Sequence, residues 1–258
     1  MAKGCQKIRD AEILDNNYSV YLTHHYTCIL LIKMNSPLLI THHIHCYTTR
    51  VGTGPPGSIQ LDSKRIIVPA YHTVTPNVDG GLSEVHMMIS DDGGKSWYIG
   101  GNVTDWNLQY PNENQAVSLG GSNVFVNART MLTDRIGALS KDGGLTFGPH
   151  FVLKGLPQPL GGCQGSTIRH PVTGILLYSG PATVSPFRHN MSIYTSLDNG
   201  LTWNAKAVIH SGSSSYSSMA VLGDGHSIGL LYEWANKTKL IFDPDYFSFV
   251  AVYDEAYP

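Results

Sequence analysis

One eight-residue pattern occurs three times in this chain: Ser90-Asp91-Asp92-Gly93-Gly94-Lys95-Ser96-Trp97, Ser140-Lys141-Asp142-Gly143-Gly144-Leu145-Thr146-Phe147 and Ser196-Leu197-Asp198-Asn199-Gly200-Leu201-Thr202-Trp203. The template is Ser-x-Asp-x-Gly-x-Ser/Thr-aromatic, and the copies begin 50 and 56 residues apart (90 to 140, 140 to 196). Self-similarity at that period restricts the fold to supersecondary units that are stacked or arranged radially. Each copy reads as a hairpin turn. The Asp side chain bonds nearby backbone, and Gly takes the positive φ that a tight turn requires. The residues before the copies, 85–89 (Val-His-Met-Met-Ile) and 191–195 (Met-Ser-Ile-Tyr-Thr), are apolar or alternating, as strands are.

Composition agrees with many short strands. Charged residues make up only 14% of the 258, and 27 Gly with 14 Pro supply turns, enough for one large all-β domain. A net charge of −2 gives no basic footprint, so nucleic acid is not an expected partner. Cys5, Cys28, Cys46 and Cys163 form no CxxC pair, which implies neither a disulfide scaffold nor a zinc site. His24-His25 and the run His42-His43-Ile44-His45-Cys46 lie in an aromatic, β-branched stretch where neighbouring His are usually incidental, and no metal is expected. Residues 28–40 are apolar but are broken by Lys33, Asn35 and Pro37, too short a stretch to span a bilayer as a helix.

The chain divides near residue 50. Residues 1–50 have no Gly after Gly4 and no pattern linking them to the repeats. From 51 to 258, strands and Gly/Asp turns alternate regularly, giving roughly four units at the observed period.

The eight-residue pattern resembles the Asp-box of sialidases and other β-propellers, where it lies on the outside of a blade. From 51 to about 250 the likeness is more specific. Five segments are similar to motifs of animal-type exo-α-sialidases, in the family's order. They are Gly54-Pro55-Pro56-Gly57-Ser58-Ile59-Gln60-Leu61, residues 65–71 (Arg-Ile-Ile-Val-Pro-Ala-Tyr), Asn112-Glu113-Asn114-Gln115 with Asn127-Ala128-Arg129, Gly162-Cys163-Gln164-Gly165-Ser166, and Ser215-Tyr216-Ser217 with Leu231-Tyr232-Glu233. The resemblance implies an all-β, six-bladed propeller, of which this sequence supplies about four blades. It also implies retaining hydrolysis of terminal α-linked sialic acids from glycoproteins, oligosaccharides and gangliosides. A non-catalytic sialoside-binding propeller is the alternative. No cofactor is implied, and the family's compartments are cytoplasmic, lysosomal or membrane-associated.

Chemistry explains the residue types. Sialic acid carries a carboxylate on its anomeric carbon, which would repel an anionic nucleophile, and sialidases use Tyr instead. A neutral hydroxyl needs a base to take its proton as it attacks. By resemblance, Tyr216 is the nucleophile and Glu113 the base. Arg129 and Arg188 clamp the substrate carboxylate, for which a planar guanidinium is suited. Gln164 lies near the ligand and Tyr71 lines the pocket for the glycerol side chain. The family's first clamp arginine, in an aromatic-Arg-Ile-Pro motif, and its acid/base aspartate have no counterpart. Lys7-Ile8-Arg9-Asp10 and Asp15 lack the matching setting. Glu233, which pairs with that arginine in the family, is expected to lose its partner. Weak or absent turnover follows.

Overall fold

The computed structural model describes residues 19–21, 28–33, 39–44, 51–55, 57–73, 83–103, 110–236 and 244–252, and for 19–44 the backbone strands only. Cys5, residues 7–10, Asp15, His24-His25, His45 and Cys46 lie outside the described residues. All regular structure described is β-strand.

β1 (Ser19–Tyr21), β2 (Cys28–Lys33) and β3 (Leu39–Ile44) form an antiparallel sheet. The first blade comprises β4 (Val51–Thr53), β5 (Ile59–Gln60), β6 (Ile66–Thr73), β7 (Ser83–Ser90) and β8 (Tyr98–Val103). Its order is β4-β6-β7-β8, with β5 also pairing β6. The second is a four-stranded meander of β9 (Asn114–Gly120), β10 (Asn123–Ala128), β11 (Asp134–Ser140) and β12 (Phe151–Pro157). A six-stranded sheet follows, of β13 (Ser166–Arg169), β14 (Leu176–Pro181), β15 (His189–Ser196), β16 (Asn204–Val221), β17 (Ile228–Ala235) and β18 (Tyr246–Val252).

That last sheet is two blades joined by one strand. β16 pairs with β15 from Asn204 to Ser213, then with β17 from Ser213 to Val221. It closes the third blade and opens a fourth without a loop between them.

The cores lie between blades rather than within them. One joins Ile67, Met87 and Ile89 of the first blade to Val124, Val126 and Ile136 of the second. The next joins Phe125 and Leu153 to Tyr178, Tyr194 and Trp203, and the third joins Met191 and Ile193 to Met219 and Leu230. A blade buried on both faces has no polar side to show, which is why β7 (Ser-Glu-Val-His-Met-Met-Ile-Ser) is buried throughout instead of alternating.

Each Asp-box links the third and fourth strands of a blade, and its bonds repeat closely. Asp92, Asp142 and Asp198 each accept the amide of the Ser/Thr four residues on at 2.9 Å, and its hydroxyl at 2.5, 2.5 and 2.6 Å. Ser90, Ser140 and Ser196 accept the amides of Gly94, Gly144 and Gly200, which have φ of 89, 82 and 93°. The bonds from Ser96 hold the Asp92 carboxyl at about 2. Burial opposes the charge on Asp142, but the Thr146 bonds outweigh it and leave that carboxyl also at about 2. Boxes seat on the preceding blade: Gly101 N donates to Gly144 O at 2.7 Å, and Trp203 N to Lys154 O at 3.1 Å. A Cβ at Gly155 would lie 2.2 Å from Trp203 O, so glycine is required there.

The first, second and third blades lie in separate sheets. Side-chain amides, which carry the same donors and acceptors as a peptide, bridge neighbouring blades. Asn114 Nδ2 donates to Ala70 O at 3.1 Å, Gln115 accepts from Thr167 N, and Gln164 bonds Ser217 at both ends of its amide.

Candidate active site

In each of the three blades that carry an Asp-box, the antiparallel order places the box at one end, and the family-like residues fall at the other. Glu113 immediately precedes β9 and Arg129 follows β10; Arg188 precedes β15, and Tyr216 lies early in the second half of β16. They come from three blades and meet.

Tyr216 occupies a β-bulge. The register passes from Ser214↔Trp234 to Ser217↔Tyr232, so Ser215 and Tyr216 together oppose Glu233. A bulge leaves a backbone amide without a ladder partner. Here the Tyr216 amide donates to Glu233 Oε2 at 3.1 Å. Glu233, expected to lose its arginine partner and to serve as structural support, satisfies the bulge and orients the residue that bears the phenol.

The Tyr216 hydroxyl donates to Glu113 Oε1. Glu113 Oε2 accepts from Arg129 Nη1 at 2.6 Å. Burial, and then the Glu113 carboxylate, push the Tyr216 phenol well above its ordinary pKa, so it is neutral at physiological pH. Burial opposes the charge on Arg129, and Glu113 more than offsets it. The Arg188 guanidinium lies over the Tyr216 ring, 5.6 Å from its centroid, and donates to Ser215 Oγ at 2.9 Å and Gly162 O at 3.2 Å.

Gln164, expected beside the ligand, is buried and holds Ser217: its Nε2 donates to Ser217 O at 2.8 Å, and its Oε1 accepts from Ser217 N at 2.9 Å. The amide pins the residue after Tyr216. Tyr71 packs against the first core with its ring under Gly52, where a Cβ would lie 2.6 Å from it.

The same end of the first blade carries a polar cluster that sequence did not single out. His72 and His86 approach Nδ1 to Nδ1 at 3.0 Å, His72 Nε2 is 3.7 Å from Glu84 Oε2, and Asn102 donates to Glu84 at 2.8 Å. Burial lowers the pKa of both imidazoles, that of His86 to about 4. Among the described residues no group of His, Cys, Asp and Glu is arranged to hold a metal, and no helix is long and apolar enough to cross a membrane.

Residues 39–230 match the BNR repeat-like domain family. The chain belongs to the sialidase family of BNR-repeat, or Asp-box, proteins. Sialidase-2 of Cricetulus griseus is 30% identical over 209 residues, covering 74% of this chain and 54% of that protein. A sialidase of Micromonospora viridifaciens is 33% identical over 163 residues, covering 59% and 24%. The chain therefore spans about half, or less, of these relatives. In fold it is similar to the intramolecular trans-sialidases of Ruminococcus gnavus (TM-score 0.68, 20% identity, 87% of this chain and 50% of that one) and of leech (TM-score 0.69, 20% identity, 88% and 36%). The architecture is that of a sialidase-type β-propeller.

Sequence reasoning missed Arg135, the buried arginine behind the Tyr216–Glu113–Arg129 cluster. In the sequence, Asp134-Arg135 looks like a charged pair at a turn. The alternation rule gives no warning, because Arg135 and Ile136 are both buried.

Proposed function

We propose that this chain acts on terminal α-linked sialic acids of glycoproteins, oligosaccharides and gangliosides by a retaining mechanism, with Tyr216 as nucleophile and Glu113 as its base. One observation carries the reading: the Tyr216 hydroxyl donates to a carboxylate that is itself paired with Arg129, while Arg188 covers the phenol ring. A neutral phenol with a high pKa is a poor nucleophile unless its proton leaves as it attacks, and Glu113 is placed to accept it. Tyr216 Oη would bond to the anomeric carbon as the glycosidic bond breaks. Water would then displace Tyr216, with retention after two inversions. Arg129 and Arg188 supply donors for the substrate carboxylate.

Departure of an alkoxide requires an acid, and the sequence offers no counterpart of the family's acid/base aspartate. We therefore expect slow cleavage of sialyllactose and faster cleavage of aryl sialosides, whose leaving groups depart without protonation. The second proposal, on organisation, is that 51–258 form the partial propeller, with 1–50 an atypical N-terminal segment.

The test is to incubate the protein with a fluorinated sialosyl donor and map the adduct by mass spectrometry, alongside turnover of aryl sialoside and sialyllactose. Attachment at Tyr216, lost in Tyr216→Phe, is expected. An adduct elsewhere, or turnover untouched by Tyr216→Phe, would sink the assignment. Binding of sialyllactose with no release from either substrate would favour the non-catalytic propeller.

A further inference from the structure

Three consecutive carbonyls serve three arginines. Gly161 O accepts from Arg129 Nε at 3.2 Å and Nη2 at 2.7 Å, Gly162 O from Arg188 Nη2 at 3.2 Å, and Cys163 O from Arg135 Nη1 at 2.7 Å. Gly161 and Gly162 have φ of 83 and 73°, a left-handed pair that turns successive carbonyls outward. At Gly162 a Cβ would lie 2.2 Å from Thr130 O and 2.6 Å from the Arg129 side chain. The turn is therefore fitted closely against the arginine it orients.

Arg135 is the innermost of the three, 1% exposed. Its acceptors are all neutral: Asn127 Oδ1 at 2.7 Å, Gln158 Oε1 at 3.3 Å and Cys163 O, with the Tyr178 ring 5.1 Å from the guanidinium carbon. A buried cation without a carboxylate contact among the described residues is expensive, and stability alone would favour an apolar residue of similar size. These partners are themselves fixed. Gln158 Nε2 bonds Thr130 and the carbonyls of Leu132 and Asp134, and Asn127 donates to Thr167. Asn127 is two residues from Arg129, and Cys163 adjoins Gln164. Glu113 acts on Arg135 from a distance but is already engaged by Arg129 and Tyr216.

We propose that Arg135 is a positioning residue for the carboxylate clamp. It anchors the 161–163 turn so that the Gly161 and Gly162 carbonyls hold Arg129 and Arg188 in place, and it leaves a positive charge behind the site to favour an anionic ligand. This rests on the site binding a carboxylate, as proposed above.

The experiment compares wild type, Arg135→Met and Arg135→Lys. Arginine Nε–Hε NMR signals, assigned with Arg129→Lys and Arg188→Lys, report the clamp without any ligand. Titration with N-acetylneuraminic acid reports the anion site. Arg135→Met is expected to collapse the distinct Arg129 and Arg188 signals and weaken binding roughly tenfold or more, as for a charge lost from a medium of intermediate dielectric. Arg135→Lys, which keeps the charge but loses the fork that reaches Asn127, Gln158 and Cys163, should recover only part of the affinity and not the signals. A folded Arg135→Met with both signals and affinity intact would overturn the proposal. If Arg135→Met does not fold, Gly162→Ala displaces the same turn; retention of the Arg129 signal in that variant would overturn it equally. If the wild type binds no N-acetylneuraminic acid, the substrate reading fails, and the NMR signals still decide the role of Arg135.

Discussion

The two ends of each blade are built on opposite plans. At the Asp-box end, the bonds that the repeated Ser and Asp side chains make inside the turn close within four residues, and three copies repeat nearly the same distances. At the other end the bonds are long-range and unique: Glu113 to Tyr216 spans 103 positions, and Gln164 to Ser217 spans 53. The box end is a local solution reused. The site end exists only once three blades are in place. Substitutions at the first should therefore move stability, and substitutions at the second should move binding and turnover.

The largest separation is expected at Tyr216. Tyr216→Phe keeps the ring under Arg188 and removes the hydroxyl, so turnover of an aryl sialoside should fall on the order of 10⁴-fold. The melting temperature should barely change; a large drop would mean that the hydrogen bond to Glu113 is chiefly structural.

Trp203→Ala is the sharpest challenge from the box end. Trp203 is buried against Phe125 and Tyr178, and its loss should cost about 3–5 kcal/mol in denaturant unfolding. Tyr178 lies beside Arg135, so this box residue has a physical route to the site. A change in N-acetylneuraminic acid affinity that exceeds the effect of Arg135→Lys would break the division between the ends.

Asp198→Ala removes the bonds to Thr202 with little loss of packing and should cost about 1 kcal/mol, the size of a typical turn or capping bond. Site affinity should be unaffected.

The smallest effects are in pH dependence, and they separate the site end of the first blade from the boxes of the first two. His86 at the site end has a folded pKa of about 4, below the ordinary 6.5. The unfolded chain takes that proton first, so stability is full above about pH 6.5 and declines between 6.5 and 4. The box carboxylates Asp92 and Asp142, at about 2 against 3.8, contribute stability above their ordinary value that is lost between about pH 4 and 2. Melting temperature against pH should show both limbs. His86→Phe should flatten the upper and Asp142→Asn the lower; a single limb unaffected by His86→Phe would count against this account.

The same division explains what could be read from sequence. Boxes are legible because a contiguous octet contains both ends of the Ser and Asp side-chain bonds that shape the turn. Glu113, Arg129, Arg188 and Tyr216 were named from resemblance, since nothing in the local pattern says that residues 103 positions apart will touch. The bond Glu233 makes at the bulge is not legible in the sequence, because it requires knowing the register of two strands. The Ser-rich stretch 213–218 has weak strand propensity and contains no apolar signal, yet Ser214, Ser215 and Ser217 are buried. Ser215 bonds Arg188, and Ser217 bonds Gln164 and Ser179. Arg135 was invisible because a charged residue beside a turn is ordinarily solvated.

The continuous strand β16 also limits how this propeller can be rearranged. The second and third blades meet through the loop 158–165, where a recombination event or an inserted peptide could part them and leave each sheet whole. Between the third and fourth blades any breakpoint falls inside a hydrogen-bonded ladder, within a few residues of Tyr216. Blades could be duplicated or exchanged up to that seam, but the two flanking it must be inherited as a single module.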